Sequence, residues 1–271
     1  MTATVLLTRS ELREASRSRW LLVAAGGFAL LSAALTFAGS AGGSAGFGPT
    51  AAGLINIELI AVPLFALVLG AMAFARDRER GTYAYLRALP LSLWQMYCAK
   101  VCAISLEITA VVFAGFAGAF GVMTALGMGG GDLGGAVQFA LLTWLLGLTC
   151  AMIGVFISAC AKRSPAAFGA AVACWLLFVI FGDLGIMATS LATHMGLGVL
   201  VTLTSLNPIE AYKIASLAAL SGSVDVLGPG GRLAADMFGA AIMPVMVSIL
   251  ILWAGLAKLG GWLVLSRRRD A

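Results

Sequence analysis

Four ionisable side chains stand inside runs of apolar residues, where a charge is costly: Glu58, Glu107, Asp183 and Lys258. An acid or base held there suits a polar pathway, a conformational switch or a hydrogen-bonded tie between helices. Counting from Tyr97 at about 1.5 Å per residue, Glu107 lies about 15 Å along its run, near the middle of a bilayer. It reads either as part of a pathway or switch, or as a neutral acid bonded between helices. Glu58 and Asp183 fall nearer the outer ends of their runs, and Lys258 is close enough to the inner end to extend its ammonium to water. For these three the structural reading is favoured.

Soft-metal chemistry would have to come from Cys98, Cys102, Cys150, Cys160 and Cys174, all in the apolar runs or at their ends. Disulfides are not expected there. Cys98 and Cys102 lie one helical turn apart, but a thiol pair with no neighbouring histidine is a thin donor set, and no metal site is expected. His194 is the only histidine, so a multi-histidine site within one chain is excluded. No H-E-x-x-H pair or G-x-x-x-x-G-K-[ST] phosphate loop occurs. The chain is therefore not expected to be an enzyme or to hold a cofactor of its own.

The elements that carry these residues are membrane helices. With 61% hydrophobic and 11% charged residues, the chain has less than half the charge of a water-soluble domain, which carries about 25%. Its apolar residues come in unbroken runs of the length a helix needs to cross the hydrocarbon layer, not in the alternation of a β-barrel. Six spans are predicted, at residues 20–38, 54–75, 97–126, 136–161, 166–191 and 238–265. The third is longer than a bilayer requires, which allows a tilt, a bend at Gly115, Gly118 or Gly121, or a projection into water. The small residues after the first span could suit a signal peptidase, but the preceding segment is long for a signal and an uncleaved helix is the better reading.

Basic residues set the orientation. Arg9, Arg13, Arg17 and Arg19 precede the first span, Arg76, Arg78, Arg80 and Arg87 separate the second and third, Lys162 and Arg163 the fourth and fifth, and Arg267, Arg268 and Arg269 close the chain. With six spans all four groups fall on one side, so both termini are expected in the cytoplasm. The net charge of +5 belongs to these helix ends, beside anionic head groups, and not to nucleic-acid binding. The expected layout is an interfacial segment at 1–19, a membrane domain at 20–266 with a cytoplasmic segment at 76–96 and an external one at 193–237, and a cytoplasmic tail at 267–271.

Three connecting segments are informative. Gly39 to Thr50 is small and uncharged and reads as a flexible outer loop. After Gly81, one short helix is predicted with Thr82, Tyr85, Leu86 and Leu89 on one face, stopped by Pro90; Ser92 and Gln95 then form a capping box for the third span. In the external segment Asn207 is an N-cap, Pro208 suits the first helical position and Glu210 stands in the first turn. That predicts a helix from Pro208 to about Leu220 lying on or near the outer surface, with Tyr212 and Lys213 available to a partner or to a cap over the outer opening. Arg9, Arg13 and Arg17 would make a basic stripe if the N-terminal segment is helical.

Several of these pieces together resemble the permease subunit of ABC transporters of the type-2 exporter superfamily. They are Arg13 to Trp20, Glu79-Arg80-Gly81-Thr82 with Pro90-Leu91-Ser92 and Lys100, and Leu206-Asn207-Pro208. More narrowly the chain resembles the NosY group, permeases of the transporter that supports nitrous oxide reductase maturation. That group shows a similar Arg-x-Arg-Trp approach to the first span and a similar Asn-Pro-x-x-x-Tyr helix, matched here by Asn207, Pro208, Tyr212 and Lys213.

The resemblance implies an inner-membrane homodimer, two cytoplasmic ATPase subunits that bind ATP and Mg, and a periplasmic accessory protein. It makes Glu79, Gly81, Thr82, Tyr85, Leu86, Leu89 and Pro90 the ATPase-coupling segment, and it implies a part in copper-site assembly. A permease for lipid, drug or polysaccharide, or a membrane scaffold with no ATPase, are the alternatives.

Overall fold

The computed structural model describes residues 3–17, 19–41, 47–88, 90–125, 133–191, 206–221 and 241–267. Among these residues all regular structure is α-helical: α1 Ala3–Arg17, α2 Arg19–Ala41, α3 Phe47–Glu79, α4 Thr82–Ala88, α5 Leu93–Ala125, α6 Leu133–Cys160, α7 Ser164–Leu191, α8 Pro208–Ser221 and α9 Ile242–Arg267. Stretches of α3, α5, α6, α7 and α9 are long and apolar enough to cross a membrane, the longest being Leu93–Val122. In α2 the described apolar stretch is Leu22–Ala34. These helices correspond to the six expected spans, and the protein is an all-α, multi-pass membrane protein.

Small residues organise the centre. Where α3 crosses α6, Gly70 meets Gly154: a methyl carbon on Gly154 would run into the Leu67 carbonyl and stand 2.9 Å from the Ala71 nitrogen. Helices that lack a hydrophobic drive to associate inside lipid gain from such close backbone approach. Around this crossing lie Ala66, Leu67, Ala71, Phe74, Leu146, Cys150, Ala151 and Val155, all buried. Against it pack α7 and α9, while α2 lies along α5 and α1 along the first half of α5.

In α5, Gly115 and Gly118 admit Phe28 and Ala29 of α2 against the helix. Two expectations need correction. The segment Gly39 to Thr50 is not one flexible loop, because α2 runs on to Ala41 and α3 begins at Phe47. Second, α8 does not lie exposed on the surface: it is packed against α3, α6, α7 and α9, with Ile209, Ala211, Tyr212, Ile214 and Ala215 all buried.

Candidate functional site

Two polar regions sit at opposite ends of the bundle. One end gathers α1, α4, the α6–α7 turn and the end of α9, and carries Arg9, Arg13, Arg76, Arg80, Arg87, Lys162, Arg163 and Arg267; it is called the basic end here.

At the basic end, α3 stops at Glu79 and the chain turns through Gly81, whose φ of +75° is in the left-handed region that glycine adopts without strain. Then comes α4, seven residues long. The next helix starts in a capping box: Gln95 N–H donates to the Ser92 hydroxyl at 3.2 Å and Ser92 N–H to the Gln95 carbonyl at 3.0 Å. So α4 stands between the Gly81 turn and the capped start of α5.

Its faces differ from expectation. Leu86 is buried together with Tyr83, three residues before it, and only Tyr85, Thr82 and the arginine and alanines remain exposed. Tyr85 is 67% exposed, so of the expected apolar face it is the large side chain left outward. Leu89 lies outside the described residues, and Pro90 is exposed. Glu79 points away from α4: its Oε2 accepts from Ser164 N–H at 3.3 Å, at the N-terminus of α7, where a carboxylate complements the helix dipole.

Beside α4, a cavity of about 640 Å³ opens between α1, α3 and α5. Glu107 lines it, together with Arg13, Arg76, Arg80, Glu11 and Glu14. Its carboxyl therefore faces an ionic cavity. The wall is fixed by Lys100, 3% exposed, whose Nζ lies 2.6 Å from Asp77 of α3 and 2.9 Å from Glu11 of α1. Lys100→Met would leave two partly buried carboxylates without their cation, and is expected to cost on the order of 3 kcal/mol as a lowered melting temperature in detergent. Removing Arg80, whose pair with Glu14 at 3.3 Å is largely exposed, is expected to change stability by less than about 1 kcal/mol.

The far end holds a buried triangle of oxygens. Glu58 of α3, 1% exposed, receives hydrogen bonds at Oε2 from Thr143 of α6 at 2.7 Å and Tyr212 of α8 at 2.8 Å, and the two hydroxyls are 2.8 Å apart. Burial, with the Glu58 carboxyl beside it, raises the Tyr212 phenol well above its ordinary pKa, so its hydroxyl stays protonated.

Asn207 caps α8 as expected, its Oδ1 accepting from Ile209 N–H at 3.0 Å, while its Nδ2 donates to the Phe178 carbonyl of α7 at 2.7 Å. Pro208 occupies the first helical position, and Glu210 pairs with Lys213 at 3.7 Å. Tyr212 is thus not available to a partner; its side chain is spent on the protein's own helices. Asp183 belongs to α7, but its side chain and His194 lie outside the described residues. Lys258 is exposed on α9 toward the basic end. No disulfide links the cysteines.

Sequence reasoning missed Thr143 and Lys100 as tie points, and the aromatic cluster of Trp94, Tyr97 and Trp262 that joins α5 to α9. Aromatic residues one turn apart at a helix start were the available signal for the last.

The comparison with known proteins agrees with this architecture. The family model described as ABC-2 family transporter protein matches residues 5–267. The chain is 31% identical over 266 residues to a probable ABC transporter permease protein NosY of Pseudomonas aeruginosa, covering 93% of each chain. It is 29% identical over 272 residues to the protein of the same description from Stutzerimonas stutzeri, covering 97% of each. With its bundle of membrane helices and near full-length match, the chain belongs to the ABC-2 family of transporter permeases.

Proposed function

We propose that this permease is driven by a separate cytoplasmic ATPase, whose dimer binds ATP and Mg and seats α4 of each of two permease copies. In this reading the basic end is cytoplasmic, the membrane is the bacterial inner membrane, and the buried far end faces the periplasm and an accessory protein there. Similarity to NosY permeases supports service in copper-site maturation of nitrous oxide reductase. The observation that carries the coupling role is α4 itself: a short helix between the Gly81 turn and the capped start of α5, with Tyr85 exposed.

Tyr85→Ala is expected to reduce co-purification of the ATPase with the detergent-solubilised permease, since a few central aromatic anchors dominate most interfaces. Full ATPase recovery with full transport-dependent output would reject the assignment. Glu107, facing the ionic cavity, is the proposed pathway or switch residue. Glu107→Gln keeps the side chain's size, so it should preserve assembly and lower output; wild-type output would reduce Glu107 to a structural role.

A further inference from the structure

The end of α3 is bonded to the α6–α7 corner far more closely than helix packing requires. The Ser158 hydroxyl of α6 accepts from the backbone N–H groups of Phe74 at 2.9 Å and Ala75 at 3.0 Å. Those two donors belong to the α3 ladder, and a side chain inserted into a ladder loosens it locally. One turn on, Arg78 Nη1 donates to the main-chain carbonyls of Ser158 at 2.8 Å and Ala161 at 2.6 Å. Terminal carbonyls of a helix lack partners of their own and form its negative pole, so a guanidinium fits them in both respects.

The next residue, Glu79, holds the first turn of α7 through Ser164 N–H. Finally, the Arg78 guanidinium stands 5.4 Å from the ring centroid of Tyr83, the most buried side chain of α4. Positions 74, 75, 78 and 79 therefore bind α6 and α7, and Arg78 also stands over Tyr83 of α4.

We propose that α4, the last turn of α3 and the α6–α7 turn move as one rigid block, with Arg78 as its positioning residue. Motion received at α4 then enters α6 and α7 directly, and Phe74 and Ala75, bonded to Ser158, mark where the block meets the rest of α3. This rests on α4 being the ATPase contact.

The test is hydrogen–deuterium exchange on the permease–ATPase complex in nanodiscs, without nucleotide and trapped with ATP and vanadate. In the wild type, peptides covering 82–88 and 161–165 should change together. In Arg78→Gln, 82–88 should still respond while 161–165 no longer follows, and output should fall about tenfold with the ATPase still bound. Arg78→Lys should restore part of the output, because an ammonium still reaches a terminal carbonyl. Ser158→Ala should speed exchange at 74–75 and leave the Arg78 bonds in place.

A wild type in which 82–88 responds and 161–165 does not would overturn the block alone, as would full output in Arg78→Gln. Absence of any response at 82–88 would instead refute the coupling role of α4, and the block with it.

Discussion

Gly154→Leu is expected to abolish the native packing of α3 on α6, with a cost of at least about 3 kcal/mol, the upper range for overpacked cores. The reason is that the obstruction is backbone. A Cβ at position 154 would overlap the Leu67 carbonyl and stand 2.9 Å from the Ala71 nitrogen and 3.0 Å from the Gly70 Cα. No rotamer change relieves contacts with main-chain atoms, so the helices must separate and the surrounding close-packed side chains lose their contacts. Gly70→Leu should behave alike, because it faces Ala151 and Val155 backbone across the same crossing. Gly255→Leu is the control: nothing lies within 4 Å of a Cβ there, and leucine is the better helix former. The yield of monodisperse protein in detergent and its melting temperature measure the difference. Normal recovery of Gly154→Leu would show that the two helices do not meet at these glycines.

What could be foreseen was what is local. Apolar runs announce crossing helices because lipid forces each backbone to satisfy itself within its own segment. Asn207 with Pro208, and Ser92 with Gln95, announce helix starts because their bonds close within three residues. The choice of which face turns inward is a tertiary decision and was not legible. Tyr83 and Tyr85 are equivalent by type, yet Tyr83 is buried because Arg78, itself held by α6, stands over its ring. Thr143 gave no signal either, since a threonine in a membrane helix can satisfy itself on the carbonyl four residues back, as it does with Phe139 at 3.0 Å. Depth counted along α5 places Glu107 midway along the apolar stretch Leu93–Val122, but the ionic cavity it lines was not legible, because the packing of α1 on α5 is tertiary.

Tyr212 separates docking from recognition by the size of two substitutions. It is among the largest fully buried side chains, and its hydroxyl bonds Glu58 and lies against Thr143. Tyr212→Phe removes the hydroxyl and leaves Glu58 and Thr143 bonded to each other, so the expected cost is on the order of 1 kcal/mol, as for hydrogen bonds between membrane helices. Tyr212→Ala removes the ring as well. It leaves a space between α3, α6 and α8, and aromatic-to-alanine changes in such cores cost about 3–5 kcal/mol. The ring, not the hydroxyl, is therefore expected to dominate, with α8 released from the bundle in the alanine variant. Melting in detergent and hydrogen exchange over 206–221 measure both effects: a small shift for phenylalanine, and a large shift with rapid exchange for alanine. If Tyr212 instead served an outside partner, both variants would melt like the wild type and differ from it only in capture of that partner. With the side chain fully buried among α3, α6 and α8, the first outcome is the one the packing requires.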